Sequence, residues 1–187
     1  ASHNQQARYG EDVISRMIYA CSRGGLSPIH SAVIETVNTL IDTLVEKHGV
    51  EASNITALTA AGNTTMTHLF LGLEPCTIRL EPYIPTANFL PSASAAELNL
   101  HLHPNARVTC MPGISSYVGG DITAGVLASG ISNSPQISAL IDIGTNGEIV
   151  LVENFEDGGT YDVWDVSVLP NEPVHIKKLS RDNDGLG

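Results

Sequence analysis

The chain has 187 residues, 42% of them hydrophobic, and a formal net charge of -11. That length corresponds to one large or two small domains, and this hydrophobic content is enough for a sizeable core. The 9 Lys and Arg residues against 20 Asp and Glu residues predict an acidic surface that repels DNA and RNA. No apolar run approaches the roughly 20 residues of a membrane span, and residues 1–6 lack signal-peptide features. We therefore expect a cytoplasmic globular protein without nucleic-acid or membrane partners.

The three cysteines, Cys21, Cys76 and Cys110, lie far apart and include no Cys-x-x-Cys pair. This spacing predicts neither a disulfide framework nor a local zinc or iron–sulfur site. We therefore interpret all three as reduced thiols that are buried or inert.

Two helices are predicted at the start of the chain. Apolar residues at helical spacing over Glu11–Arg23, with a glycine pair after them, predict the first helix and its stop. Ser27 and Pro28 predict the N-cap and first turn of a longer helix, which Gly49 ends. Its apolar residues form one stripe, as expected for a helix packed on a core.

A strand over Ile55–Ala60 leads directly into a turn and a helix that Asn63 caps and that runs to about Leu71. A strand that feeds a helix in this way leaves backbone N–H groups pointing beyond the sheet edge, where α/β proteins bind anions. Asn63 and Thr64 are therefore candidate cofactor-binding residues. The following stretch, 74–104, holds five prolines, and we interpret it as an ordered excursion with a short helix at Ser94–Leu98.

The second half of the chain predicts further strands and one helix, and the predicted class is α/β with mixed sheet pairing. A near-continuous apolar run is typical of a buried strand at Ile137–Ile143. An Asn-Gly turn then leads into another strand and completes a hairpin. The alternating run at 161–169 could form one more hairpin. The other predicted elements are a strand at Arg107–Met111, a helix from Asp121 through Ala128 that Gly130 closes, and the hairpin strand Glu148–Val152.

The hairpin segment Asp142–Glu148 has features that a plain turn does not need. Asp142 ends a hydrophobic strand and would be costly to desolvate without a partner. A Mg²⁺ ion held through water is a suitable partner, while the glycines let the backbone approach a phosphate. The alternative is a structural turn in which Asp142 bonds to backbone. The candidate cofactor-binding residues of this segment are Gly144, Thr145, Asn146, Gly147 and Glu148.

Asp121, at the start of the helix before the hairpin, is a second candidate catalytic carboxylate. We expect it near the same sheet edge as Asp142. One carboxylate could then hold Mg²⁺ through water while the other orients the attacking water in phosphoryl transfer. The alternative for Asp121 is simple N-capping of its helix.

The run Val118–Gly130 followed by Ala139–Leu151 resembles the connecting helix and second phosphate motif of the actin, heat-shock chaperone and sugar-kinase (ASKHA) superfamily. Further motifs resemble those of the ATP-dependent reductive activators of corrinoid proteins, the activators of corrinoid iron–sulfur proteins. The resemblance covers about residues 4–152, with the motifs in the same order. These further motifs are Asn4–Gln5, Tyr9–Arg16, Ala61–Leu69 and Pro82–Pro85.

The resemblance implies an actin-like, ribonuclease H-like ATPase fold with a mixed sheet and flanking helices. It also implies binding of ATP and Mg²⁺, and an ATP-dependent transfer of one electron to a cob(II)alamin-containing corrinoid protein, with a homodimer as one expected assembly. In such activators a [2Fe–2S] cluster lies in a ferredoxin-like domain, and this chain has no cluster-binding cysteines. We therefore expect a fragment: residues 1–135 from the first lobe, 136–152 the start of the second lobe, and 153–187 an unplaced acidic tail.

Two other functions remain open at this point, and the isolated chain is expected to be inactive as an ATPase. One is a non-catalytic module that docks a protein partner, with the hairpin as a relic. The other is a small-molecule kinase of the same superfamily. A kinase would phosphorylate an acceptor, whereas an activator would only hydrolyse ATP.

Overall fold

In the computed structural model, the described residues are 3–116, 118–143 and 147–152, together with the backbone of strands 161–167 and 175–178. The chain divides into two compact units, Ala1–Asp121 and Ile122–Gly187, and each is described by itself. It is a mixed α/β protein, as the sequence predicts. None of the described helices is long and apolar enough to cross a membrane.

The first unit begins with a 3-10 helix, Gln5–Tyr9, followed by helices α1 (Val13–Ala20) and α2 (Leu26–His48). Gly49 ends α2 in the left-handed conformation with a φ of 62°, as predicted. The prediction that Ser27 is the N-cap of α2 is wrong, because the helix already begins at Leu26. A proline at the third helical position is tolerated since first-turn N–H groups have no partner inside the helix.

Strand β1 (Ala57–Ala60) pairs in parallel with β3 (Arg107–Cys110), and β2 (Ala93–Ser94) pairs antiparallel with β3. The sheet order is therefore β1-β3-β2. Helix α3 (Thr64–Leu71) follows β1. Helices α2 and α3, strand β3 and the segment before it share the main core, whose buried residues are Ile34, Ile41, Phe70, Ala95, Leu98, Leu100, Leu102, Ala106, Val108 and Cys110.

The Pro-rich stretch contains a 3-10 helix at Cys76–Arg79 and strand β2. The helix predicted at Ser94–Leu98 is wrong, because this segment ends β2 and continues as turns. The Glu97 carboxylate accepts hydrogen bonds from the Ser94 backbone N–H at 2.7 Å and from its hydroxyl at 2.8 Å. These local bonds compete with helix formation, which the spacing of apolar residues does not reveal.

Helix α4 (Gly120–Ser129) spans the boundary between the units, and Gly130, with a φ of 69°, follows it as predicted. The second unit contains an antiparallel sheet in the order β4-β5-β6-β7. The run at 161–169 contains β6, which pairs with β5 and with β7. The strands are β4 (Ser138–Ile143), β5 (Gly147–Val152), β6 (Tyr161–Ser167) and β7 (His175–Lys178).

The prediction that β4 is fully buried is wrong. Its residues alternate in burial, and Ile141 and Ile143 are 59% and 89% exposed. Among the described strands β4 is at the sheet edge, with β5 as its neighbour. A strand with one covered face shields only every second residue, and here the shielded residues are half-buried.

Cys21 and Cys76 form a disulfide with their Cα atoms 5.6 Å apart. The prediction of three reduced thiols is therefore wrong for this pair. The end of α1 and the start of the Cys76–Arg79 helix meet through tertiary packing, so sequence spacing gave no sign of the contact. Cys110 is a free, buried cysteine, and burial raises the pKa of its thiol to about 11.

Candidate functional site

In the first unit, two helix N-termini converge where the parallel strands β1 and β3 end. The backbone N–H of Met111, just after β3, donates to the Ala60 carbonyl at 2.9 Å. The backbone N–H of Asp121, in the first turn of α4, donates to the Gly62 carbonyl at 3.2 Å. The start of α4 therefore lies beside the turn that opens α3, at the carboxyl edge of the sheet, where α/β proteins place ligands.

Gly119 makes this convergence sterically feasible. A Cβ atom at this position would lie 2.6 Å from the Asn63 Cα and 2.6 Å from the Thr64 nitrogen. Both are backbone atoms and cannot rotate away, so only glycine permits the two segments to approach this closely. Gly119 is not among the predicted site residues, because its close approach to Asn63 depends on two segments that are far apart in the chain.

Asn63 caps α3 as predicted, since its side-chain oxygen accepts from the Met66 backbone N–H at 2.9 Å. The Thr64 hydroxyl donates to the Ser115 carbonyl at 2.8 Å, and Thr64 is buried. This bond joins α3 to the loop that leads into α4. The bond from Thr64 to Ser115 was not foreseen, because a serine carbonyl 51 residues away has no local signature.

His68 connects α3 to the Pro-rich stretch. Its Nδ1 lies 2.7 Å from the Thr64 carbonyl, so Nδ1 carries the proton and donates, and its Nε2 accepts from the Ala87 backbone N–H at 3.3 Å. The ring is 1% exposed, and burial lowers the pKa of His68 below its usual range. The ring is therefore packed between α3 and the Pro-rich stretch.

The cavity at this junction is small. It has a volume of about 10 Å³ and is lined by residues that include Thr64, His68, Met111 and Ser115. That volume is about the size needed for one water molecule. The junction is therefore a packed support for the two helix N-termini.

In the second unit, the β4–β5 register sets Asp142 directly opposite Glu148. Directly opposite residues of an antiparallel pair point to the same face, with Cβ atoms about 4.5–5.5 Å apart, and two like charges there are destabilising. The register continues to Asp165 of β6, which lies opposite Glu148. Asp142 and Glu148 therefore lie in one cross-strand row, which continues through Asp165 to Lys177 of β7.

The candidate residues fall into two groups. Asn63, Thr64 and Asp121 belong to the first unit and lie around the same junction. Asp142, Gly147 and Glu148 belong to the second unit. Within the part of the chain with described side chains, no group of three or more His, Cys, Asp or Glu residues is arranged to hold a metal ion. The predicted phosphate-binding residues Gly144, Thr145 and Asn146 lie outside the described residues. The prediction of a two-residue Asn146-Gly147 turn is wrong, because Gly147 is already the first residue of β5 and pairs with Ile143.

Residues 1–134 match the family model described as the RACo middle region. The chain is 35% identical over 149 residues to the corrinoid activation enzyme RamQ of Eubacterium limosum, a match that covers 79% of this chain and 25% of that protein. A solved structure of a reductive activator for a corrinoid, iron–sulfur protein is 47% identical with a TM-score of 0.80, covering 89% of this chain and 26% of that one.

The chain therefore spans about a quarter of the length of both relatives. The family model covers well over half of the chain, and the structural likeness extends over most of it. This chain belongs to the RACo middle region family.

Proposed function

We propose that this chain is the ATP-binding part of a reductive activator that couples ATP hydrolysis to one-electron reduction of a cob(II)alamin-containing corrinoid protein. The names of both relatives, a corrinoid activation enzyme and a reductive activator, support the corrinoid partner. The fold proposed for the whole ATPase is actin-like, with a nucleotide site that needs parts beyond this chain. The electron would come from a [2Fe–2S] cluster in another domain.

The observation that carries the ATP proposal is the pairing of Asp142 with Glu148 across the β4–β5 hairpin. Directly opposite residues share one face of the sheet, so both carboxylates could face the same hydrated cation. Mg²⁺ keeps several of its waters and is commonly held by one or two carboxylates together with substrate phosphates. A Mg²⁺ ion bound through water therefore fits the pair, and the turn residues of the hairpin would contact the phosphates.

Asp121 is the proposed second catalytic carboxylate, which orients the water that attacks the γ-phosphate. It lies in the first turn of α4, and its backbone N–H is fixed by the Gly62 carbonyl. A carboxylate anchored on a helix start keeps its position during the reaction, as phosphoryl transfer requires. Asn63 and Thr64 would support the same edge from α3.

The experiment is Mg-ATP titration calorimetry on the complete protein with single carboxylate substitutions. Asp142→Asn removes the charge but keeps the size, and we expect at least about tenfold weaker binding because second-shell contacts of a metal carry about that much affinity. Glu148→Gln should weaken binding in the same direction. Glu46→Gln, an exposed residue near the end of α2, is the matched control and should bind as the wild type does.

Unchanged affinity in Asp142→Asn would refute the proposed cation site.

Thermal unfolding separates the ATPase from a non-catalytic docking module. Mg-ATP should raise the unfolding temperature of the complete protein, since a ligand that binds only the folded state stabilises it. The absence of any shift would favour docking, and phosphate transfer to a small acceptor would favour a kinase.

A further inference from the structure

We propose that Cys21 and Cys76 form a reversible thiol–disulfide site, which a low-molecular-weight disulfide oxidises and which controls how firmly the Pro-rich stretch is anchored to α1. The two residues are 55 positions apart, yet their Cα atoms are 5.6 Å apart. That separation is the usual one for a disulfide. Nothing in the proposed ATP chemistry uses these sulfurs.

The two sulfurs are held together by packing on either side of the bond. Cys21 is the C-cap of α1, and its backbone N–H donates to the Met17 carbonyl. Ala20, its neighbour, is buried in a core cluster with Ile29 and Leu69. On the other side Pro75 is fully buried and Cys76 begins the 3-10 helix. The reduced thiols would therefore stay close, which favours their re-oxidation.

Reagents can reach this site but not the third cysteine. Cys21 lines a surface pocket of about 490 Å³ together with Ser22, Leu26, His30 and other residues. Cys21 and Cys76 are both partly exposed. Cys110 is 7% exposed, and burial raises its thiol pKa to about 11, so little reactive thiolate forms at neutral pH. The chain thus carries an internal unreactive thiol for comparison.

The surroundings give the two sulfurs different roles. A carboxylate oxygen of Glu74 lies 3.3 Å from the Cys76 sulfur. A negative charge at that distance disfavours a thiolate on Cys76. We therefore assign the first attack to Cys21, which faces the pocket, and the resolving step to Cys76.

The reaction balances without any bound cofactor. The Cys21 thiolate attacks oxidised glutathione, forms a mixed disulfide and releases one glutathione thiolate. The Cys76 sulfur then attacks the Cys21 sulfur, forms the cross-link, gives up its proton and releases the second glutathione. Two protein thiols lose two electrons in total, and one small disulfide gains them.

The cross-link would act on the exposed apolar part of the Pro-rich stretch. This part begins just after the Cys76–Arg79 helix and includes Leu80, Ile84 and Phe89, which are 49%, 59% and 84% exposed. Exposed apolar side chains become a contact surface when they form one contiguous patch. With Cys76 tied to α1, the base of this segment is fixed, and reduction releases it.

Differential alkylation with peptide mapping tests the site in the intact protein. Trypsin should release Cys21 in Met17–Arg23 and Cys76 in His48–Arg79, whereas Cys110 lies in a third peptide. After oxidised glutathione we expect the first two peptides to be linked, with the loss of two hydrogen atoms, and dithiothreitol to separate them. Separately alkylated peptides, or peptides that each carry glutathione, would overturn the proposal.

Single variants test the assigned order. Cys76→Ser should trap a stable glutathione adduct on Cys21, and Cys21→Ser should give several-fold less adduct on Cys76. Equal yields would overturn the order. Cys110→Ser is the matched control and should leave the cross-link yield unchanged.

Native-state trypsin digestion tests the anchoring. Cleavage after the exposed Arg79 requires local opening of the 3-10 helix, so the oxidised protein should be cut there at least about fivefold more slowly. Cleavage after Lys47, at the far end of α2, should not respond to the redox state. With and without oxidised glutathione, the Cys21→Ser/Cys76→Ser double variant should be cut as fast as the wild-type protein in its reduced form. Equal Arg79 cleavage in the two redox states of the wild type would overturn the anchoring role.

Discussion

Substitutions at Asn63 separate its capping role from its proposed contact with a phosphate. Asn63→Ala removes the acceptor for the Met66 N–H, and we expect a loss of about 1 kcal/mol in the free energy of unfolding. Asn63→Asp keeps the cap but adds a negative charge where the phosphate is proposed to lie. It should therefore unfold like the wild type in urea while binding Mg-ATP several-fold more weakly in calorimetry. Wild-type ATP affinity in Asn63→Asp would remove Asn63 from the binding site.

His68 makes a prediction for the pH dependence of stability. Burial lowers the pKa of His68 in the folded protein below the ordinary value of 6.5. As the pH falls, His68 therefore takes up a proton in the unfolded chain before it does so in the folded protein. The contribution of neutral His68 to the free energy of unfolding is fully present above pH 6.5. It is lost as the pH falls from there towards the pKa of His68 in the folded protein. Protonated Nε2 could no longer accept from the Ala87 N–H.

Urea unfolding between pH 7.5 and pH 5 measures this loss. His68→Gln should show a flatter profile in that window, because the titrating group is gone. His48→Gln, which changes an exposed histidine in the last turn of α2, should retain the wild-type slope. Parallel profiles for His68→Gln and the wild type would assign the pH dependence to other groups.

At the scale of elements, the junction of α3 and α4 depends on Gly119. Gly119→Ala would place a Cβ atom against backbone on α3, and forced overpacking of this kind costs about 1–3 kcal/mol of stability. Gly62→Ala is the matched control on the α3 side of the same junction, since its Cβ would meet Met66 Cβ at an ordinary 3.5 Å. Far-UV circular dichroism during urea unfolding should show a lower midpoint for Gly119→Ala alone. Equal midpoints for both variants would mean that the junction relaxes without cost.

The elements that local chemistry determines were predictable. Asn63 before a helix and Gly49 after one are strong signals because a cap involves residues within one turn. The β4–β5 pairing was predicted from a near-continuous apolar run, an Asn-Gly turn and a second strand, although Gly147 belongs to β5 and not to the predicted turn. Tertiary features were not predictable in this way. The Cys21–Cys76 bond, the Gly119 approach and the exposure of Ile141 all depend on what packs from elsewhere in the chain.

The candidate site also combines features that local sequence predicts with features that depend on tertiary contacts. Asp142 could be selected because a carboxylate after an apolar strand is conspicuous in sequence. The opposing position of Glu148 needed the observed register, because the predicted two-residue turn would pair Glu148 with a different residue. The support from Ser115 and Gly119 could not be read from sequence, because side-chain and backbone contacts between distant loops have no periodic signature.

At the scale of the whole molecule, this chain provides only part of the proposed nucleotide site. It spans about a quarter of its relatives, and an actin-like site would take a phosphate hairpin from each of two lobes. The chain offers one such hairpin, β4–β5. A site that makes only half of the nucleotide contacts binds weakly, because most of the energy of those contacts offsets the translational and rotational freedom that the ligand loses. We therefore expect the isolated chain to bind Mg-ATP at least about a hundredfold more weakly than the complete protein.

Calorimetry on the isolated chain and on the complete protein, at the same Mg²⁺ concentration, measures this difference. Circular dichroism must first show that the isolated chain is folded, so that weak binding reflects missing contacts. Asp142→Asn provides the internal control: it should weaken the binding of the complete protein by at least about tenfold and weaken that of the isolated chain in the same direction, because the cation site lies within this chain. Equal affinities in the two proteins would mean that all nucleotide contacts lie within these 187 residues, and a two-lobed clamp would then be excluded.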